Sequence, residues 1–303
     1  MPDSVVVQIP ASTSNCGPGF DTLGLALGLY GKVDVSRDHG SSISYSGQLK
    51  SFPEAALDMV REVADAFFNK SGFTPFGFGF DIQSEVPVAR GLGSSVVLRG
   101  GLLAALNAVA GSPLSKDDLV AIVSDIEGHP DNAAASILGG FTVARYCAMS
   151  KQYFGTQRFA IPDDLKFVVV SPDLEIKTDD SRTALPPQLD FREVISSLNS
   201  LSYLVAAFAS GNYEALSACR IDHIHEPYRL KSIPHAADAI AAGIEAGAFT
   251  GWLSGSGSSV LCVASKAKAS AVCQAMEKPF KDHSFPFTAY VLSACNQGAT
   301  ILA

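Results

Sequence analysis

Apolar residues recur along this chain in two periods, and the places where one gives way to the other outline its elements. Val5-Val6-Val7-Gln8-Ile9-Pro10 predicts a short strand, and Leu23-Gly24-Leu25-Ala26-Leu27 resumes an apolar run after a loop of turn formers from Ala11 to Asp21. From Pro53 to Lys70 the apolar positions fall at helical spacing, and Lys70-Ser71-Gly72 closes the helix. Phe78-Gly79-Phe80-Asp81-Ile82-Gln83 alternates like a strand, whereas the Leu and Ala spacing up to Leu106 is helical, so Pro87 to Ser95 reads as a loop feeding a helix N-terminus. A further helix is predicted from Lys116 to Ile126, with Ser115 as its cap and Asp117 and Asp118 suiting its positive end. Leu165 to Pro172 reads as a buried strand. Helical patterns then fill 191–209, 213–219, 235–247 and 264–277 before a closing strand over 289–293. Residues 148–161 are polar and patternless, which divides the chain into an N-terminal lobe, 1–161, and a C-terminal lobe, 162–303.

Composition narrows this picture. A chain of 303 residues exceeds a typical single domain and suits two lobes around a large core. With 22 Lys and Arg against 30 Asp and Glu, the net charge of −8 argues against a nucleic-acid or anionic-membrane surface. Any phosphate site must therefore come from local backbone dipoles and a metal. The six cysteines are scattered without a C-x-x-C pair, and no segment has a signal-peptide pattern or the length of a membrane span. The expectation is a reduced, cytoplasmic protein with a small-molecule substrate and no nucleic-acid or membrane partner.

The candidate chemistry centres on the loop before the predicted helix. Gly91 and Gly93 let the backbone turn sharply and approach a ligand, while Ser94 and Ser95 add hydroxyls beside outward-pointing N–H groups. A nucleoside triphosphate fits such a place. The loop has neither the G-x-x-x-x-G-K-[ST] of a P-loop nor the G-x-G-x-x-G of a dinucleotide turn. Instead Val86-Pro87-Val88-Ala89-Arg90-Gly91-Leu92-Gly93-Ser94-Ser95 resembles the P-x-x-x-G-L-G-S-S signature of the GHMP small-molecule kinases, most of all its homoserine kinase version.

Five more segments carry that resemblance, in the family's order. Pro10-Ala11-Ser12-Thr13-Ser14-Asn15-Cys16-Gly17-Pro18-Gly19-Phe20-Asp21 is similar to a substrate-side loop, and Glu127-Gly128-His129-Pro130-Asp131-Asn132 to a stretch highly specific to homoserine kinases. Thr178 to Pro186 and Glu226-Pro227-Tyr228-Arg229 resemble two segments that each bring an arginine, and two arginines can fork onto one carboxylate. Ser254 to Ser259 is similar to a loop that braces the phosphate site.

The resemblance implies an α+β, two-lobed GHMP kinase fold, with an N-terminal lobe like ribosomal protein S5 domain 2 and a ferredoxin-like C-terminal lobe. It implies ATP and Mg2+ as cofactors and the side-chain hydroxyl of L-homoserine as acceptor, with a homodimer as the common assembly. Pro87, Val88, Ala89, Arg90, Gly91, Leu92, Gly93, Ser94 and Ser95 would cradle the phosphates. Ser95 would hold the metal with an acid from the end of the following helix. Asp125 and Glu127 are two apart and cannot share a helical face. By position Asp125 is preferred and Glu127 is the alternative. His129 and Asn132 would lie near phosphate and substrate, and Asn15, Asp21, Arg182, Arg229, Ser256 and Gly257 would surround the amino acid, with Asp21 facing its ammonium. No general base stands out.

Two departures from the family pattern matter. Val96, Val97, Leu98 and Arg99 follow the loop where small residues are usual, so bulk is expected beside the phosphates, or Arg99 faces solvent on the next turn. Ser258 replaces a proline and is expected to loosen its loop. A kinase for another small hydroxylated amino acid or alcohol, or a silent nucleotide-binding relative, would share these markers.

Overall fold

The computed structural model describes residues 2–38, 40–47 and 53–302. Two antiparallel strands, β1 (Ser4–Ser14) and β2 (Leu23–Asp38), form the spine of the first sheet, in register from Ser4↔Ser36 to Ser14↔Gly24. Their register slips between Pro10 and Ala11, where the proline has no N–H to give the ladder. Strand β1 runs through Ser14, four residues beyond the predicted strand, and so delivers Ser12, Thr13 and Ser14 to the site from a rigid element.

The rest of the N-terminal lobe is built on this spine. Strand β3 (Ile43–Tyr45) precedes α1 (Glu54–Ser71), which ends on Gly72 in the left-handed conformation, and β4 (Gly77–Ser84) pairs with the far half of β2. Helices α2 (Ser94–Val109), α3 (Lys116–Glu127) and α4 (Asp131–Leu138) follow. Ser115 caps α3 in a reciprocal box with Asp118, as its position before the apolar period predicts. Strand β5 (Phe141–Cys147) pairs with the near half of β2 and with β6 (Gln152–Phe159). Strand β6 occupies the stretch that looked patternless, because an edge strand with only one neighbour buries too little to impose alternation on its sequence.

The second sheet is wholly antiparallel. Its first strand is β7 (Leu165–Pro172), and α5 (Thr178–Thr183), α6 (Phe191–Ser210), a 3-10 turn over Tyr213–Ala218 and α7 (Glu226–Arg229) come next. Then follow α8 (Ala236–Glu245), β8 (Thr250–Leu253), β9 (Val260–Ser265), α9 (Ala269–Asp282) and β10 (Phe287–Leu292), in the strand order β10-β7-β9-β8. One mixed sheet and one antiparallel sheet, each with helices packed against it, give the expected α+β arrangement in two lobes.

The division at 161/162 needs one amendment. Beyond β10 the chain crosses back to the first sheet: Cys295 N–H donates to Ala26 O, and β11 (Thr300–Ile301) pairs with β1 at Val7↔Ile301. Helix α6 also leans on the N-terminal lobe, where Phe208 stacks on Phe141 with ring centroids 4.2 Å apart. Leu204, Ala207 and Phe208 of α6 join the apolar cluster of the first sheet, so one core runs through both lobes. Among the described residues no helix is long and apolar enough to cross a membrane.

Candidate active site

The loop between β4 and α2 is pinned by close backbone approach. A Cβ on Gly91 would sit 2.0 Å from Ser254 O, and one on Gly93 would sit 2.3 Å from Ser12 Oγ, so only glycine fits at either position. Ser254 Oγ lies 2.6 Å from Gly91 O and 2.9 Å from Thr13 Oγ1, and Ser259 N–H donates to Arg90 O at 3.0 Å. The loop over 254–259 thus holds the glycine loop from the second lobe. Gly93 caps α2 in the left-handed conformation, and the N–H groups of Ser94, Ser95 and Val96 have no backbone acceptor among the described residues. Ser94 Oγ accepts from Ala89 N–H, which leaves Ser95, partly exposed, with the hydroxyl that has no partner among the described residues. Unpaired N–H groups at the positive end of a helix suit an anion.

Several residues of this loop do something other than face a ligand. Leu92 is buried in the core and Val88 is exposed. The Arg90 guanidinium turns to the second lobe, donating to Pro172 O at 2.6 Å and pairing with Asp173 at 2.5 Å. Val96 and Val97 are buried in the core, so the expected bulk beside the phosphates points away from them. Arg99 does not face solvent freely: it donates to Glu127 Oε1 at 2.9 Å and to Glu62 Oε2 at 3.3 Å. Ser258 does not loosen its loop, since its buried hydroxyl lies 2.6 Å from Leu174 O and 3.1 Å from Pro172 O and ties the loop to the end of β7.

The end of α3 separates the two candidate acids. Asp125 is exposed and lies beside Tyr146 on β5, whose phenol pKa is raised by burial and by this carboxylate. The Glu127 side chain is 7% exposed and is held by Arg99, which stands one turn beyond Ser95 on the same face of α2. Past Gly128, His129 Nδ1 meets Asp131 Oδ1 at 2.7 Å. Burial alone would lower the imidazole pKa, but the Asp131 carboxylate overrides it and, helped by Glu127 and Asp21, lifts it to about 9. Burial likewise works against the Asp131 carboxylate, which His129 and the Asn132 N–H hold below its ordinary value. His129 is therefore an imidazolium at neutral pH. One N–H is spent on Asp131, and the other has no partner among the described residues.

Asp21 completes a cluster with His129 and Asp131, whose ligand atoms all lie within 4.8 Å of one another. Its carboxylate takes a forked pair from Arg182, at 2.7 and 3.1 Å, with both side chains about a third exposed. Imidazolium and guanidinium already occupy these carboxylates, so the cluster is a poor place for a hard cation. Beside it Arg229, 3% exposed, donates to Gly255 O at 3.2 Å and Ser181 O at 3.4 Å. Burial and the nearby Arg182 bring its pKa down to about 10, which leaves it charged at neutral pH. Asn15 shapes the pocket by donating to Gly255 O and accepting from Asp21 N–H, and Asn132 bridges Ser12 and Ser14. Ser256 O lies 3.4 Å from the Ser181 hydroxyl, while Gly257 packs against Ile233.

Sequence reasoning quoted Asp131 only as part of a motif, and passed over Ser12, Thr13, Trp252 and His225 as site residues. Trp252 Nε1 donates to Thr13 Oγ1 at 3.0 Å and links the lobes behind the glycine loop. Polar residues on a strand otherwise full of core positions were the signal for Ser12 and Thr13.

Glu226 gives a further prediction. The residue is half-buried overall, but its carboxyl end is enclosed and accepts Leu253 N–H at 2.6 Å. Burial, which outweighs that hydrogen bond, raises its pKa from 4.5 to about 8. The folded protein thus keeps a proton that the unfolded chain releases above 4.5, so this group's contribution to stability falls as pH rises from there through about 8. Glu226→Gln keeps the acceptor and removes the titration. Thermal unfolding should show it gaining on the natural protein, on the order of a few kcal/mol, between pH 5 and pH 8. A constant difference across that range would show that the carboxyl is not protonated when folded.

Comparison with known proteins defines the class. Models of the "GHMP kinases N terminal domain" and "GHMP kinases C terminal" match residues 58–140 and 204–282, and the protein is an ATP-dependent GHMP-type kinase. A homoserine kinase from Moorella thermoacetica is 34% identical over 98% of this chain and 99% of its own, and one from Carboxydothermus hydrogenoformans is 35% identical over 91% and 90%. The crystal structure of homoserine kinase from Cytophaga hutchinsonii superposes with a TM-score of 0.90 at 26% identity, covering 100% of this chain and 98% of that one. A mevalonate kinase structure, at 14% identity and a TM-score of 0.69, shares the fold. The chain belongs to the homoserine kinase family.

Proposed function

We propose that this protein transfers the γ-phosphoryl group of ATP to the side-chain hydroxyl of L-homoserine, giving ADP and O-phospho-L-homoserine, a step of threonine biosynthesis. The observation that carries the substrate class is the partly exposed Asp21–Arg182 pair beside buried Arg229. An amino-acid zwitterion carries the complementary charges at short spacing: its ammonium faces Asp21, and its carboxylate faces the two guanidiniums. A sugar or an isoprenoid alcohol has no use for such a pocket. The relatives of known name extend the reading from an amino acid to homoserine.

In this reading the backbone from Gly91 to Val96 receives the phosphates, and the lobes position acceptor and donor, which is most of what phosphoryl transfer asks of a protein. His129, protonated and oriented by Asp131, donates to the charge that develops around the transferring group and is not a proton acceptor. Mg2+ fits the residues present: the unpartnered Ser95 hydroxyl and the second carboxylate oxygen of Glu127 are hard donors reached from one face of α2. When bound, it neutralises charge on the phosphate oxygens. Exposure of Asp125 toward Tyr146 moves our preference from Asp125 to Glu127.

A cytoplasmic location suits the six free cysteines, and a homodimer is proposed by family likeness, to be measured by sedimentation. Magnesium-dependent ADP release with L-homoserine, L-threonine, L-serine, mevalonate and galactose tests the reading. A selective response to L-homoserine is expected. A preference for another acceptor would overturn the substrate while keeping the phosphate site, and no turnover with ATP bound would mark a silent relative.

A further inference from the structure

The loop from Asn15 to Asp21 is strained. Asn15, Cys16 and Asp21 all have positive φ, at 67°, 48° and 52°, in a region that side chains avoid. Such backbone persists only where its surroundings over-determine it. Part of the support is local, through Asn15 and Asp21 N–H. The rest comes from the other lobe.

That support is His225, fully buried just ahead of α7. Its Nε2–H donates to Gly17 O at 2.8 Å, across 208 residues of sequence. Its ring stacks on Phe20, with centroids 5.2 Å apart and an interplanar angle of 28°. Phe20 is also the ring against which both arginines rest: Arg182 Cζ lies 5.3 Å and Arg229 Cζ 5.1 Å from its centroid. Asp222 fixes the backbone on which His225 stands, accepting the N–H groups of Ile224, His225 and Glu226. Among the described residues His225 Nδ1 is buried without a hydrogen-bond partner, a cost that this otherwise well-paired region tolerates.

We propose that His225 is a positioning residue for the amino-acid substrate: by holding Gly17 and Phe20 from the second lobe, it sets where Asp21 stands and where Arg182 and Arg229 rest. The inference builds on the assignment of Asp21, Arg182 and Arg229 to the amino acid. His225 touches neither substrate nor phosphate in this role, and the ring and the two cations that Phe20 meets among the described residues are His225, Arg182 and Arg229. Its effect therefore falls on amino-acid binding and leaves nucleotide binding alone. The two contacts are separable, since one is a hydrogen bond and the other a ring face.

The test is steady-state kinetics of the full chain with L-homoserine and ATP each varied. His225→Phe keeps the ring and drops the hydrogen bond, whereas His225→Gln offers a donor and drops the ring. Each is expected to raise the KM for L-homoserine about tenfold, with kcat and the KM for ATP within about twofold. Phe20→Leu removes the platform from the half-exposed side and is expected to do the same, so the proposal stays testable if a buried His225 variant fails to fold. Combined with His225→Gln it should be no worse than the poorer single variant, because both break one chain of contacts. A homoserine KM that stays unchanged in folded variants, or a loss shared equally by kcat and the KM for ATP, overturns the proposal. Arg229→Ala run alongside separates the two levels. If it raises the homoserine KM while the His225 and Phe20 variants do not, only the role of His225 fails. If Arg229→Ala is itself silent, the amino-acid pocket is wrong and this inference falls with it.

Discussion

Glu127→Gln is expected to lower magnesium-dependent turnover by about a hundred- to a thousandfold, while Asp125→Asn stays within about twofold of the natural protein. Two acids only two residues apart differ this much because a helix turns them to different surroundings. Glu127 looks onto the first turns of α2 through Arg99, and Asp125 looks outward to Tyr146. Gln was chosen over Ala because its amide oxygen can still accept from Arg99, whose side chain is 19% exposed and would otherwise lose its closest partner. The loss then reports on charge rather than on packing. A rise in the Mg2+ concentration needed for half-maximal rate should accompany it, and unchanged thermal stability would separate metal binding from fold. The reverse order of the two variants would return the metal to Asp125.

Arg229→Ala is expected to raise the KM for L-homoserine about a hundredfold, with the KM for ATP little changed. A charge-assisted contact with a carboxylate is worth about 1.5–3 kcal/mol, and this one lies in a buried, poorly screened place. Arg229→Lys should recover little. A lysine cannot reproduce the spread of donors that reaches Gly255 O and Ser181 O and still leaves one for a substrate. Arg182→Ala is the milder relative of this change, since Arg182 is about a third exposed and already shares Asp21. Unchanged homoserine kinetics in Arg229→Ala would remove the carboxylate clamp from the account.

Legibility in the sequence followed the range over which each feature is decided. The glycine loop, the cap of α3 and the strand of β7 are set by neighbours within a few residues, and each stands where its pattern placed it. The choice between Asp125 and Glu127 depends on an arginine of another helix, so spacing along α3 could exclude a shared face but could not say which face mattered. Arg99 itself looked like a surface charge because both its partners, Glu62 and Glu127, lie far off in sequence. The work of Phe20 and His225 is a contact across more than 200 residues and has no local signature. Strand β6 and the return of the chain to β1 were hidden for a related reason: a strand at an edge is defined by its partner's backbone more than by its own side chains.

The return of residues 294–302 to the first sheet bears on how the molecule comes into being. Strand β1 is made long before β11, so its outer edge stays open until residues near 300 have been made. Cys295 and Ala299 add hydrogen bonds to Ala26 and Ile137 that an isolated N-terminal half cannot form. The first sheet is therefore completed only after the second lobe, which contributes Arg229, has been made. Because α6 and this tail tie the halves together, the protein should melt as one cooperative unit.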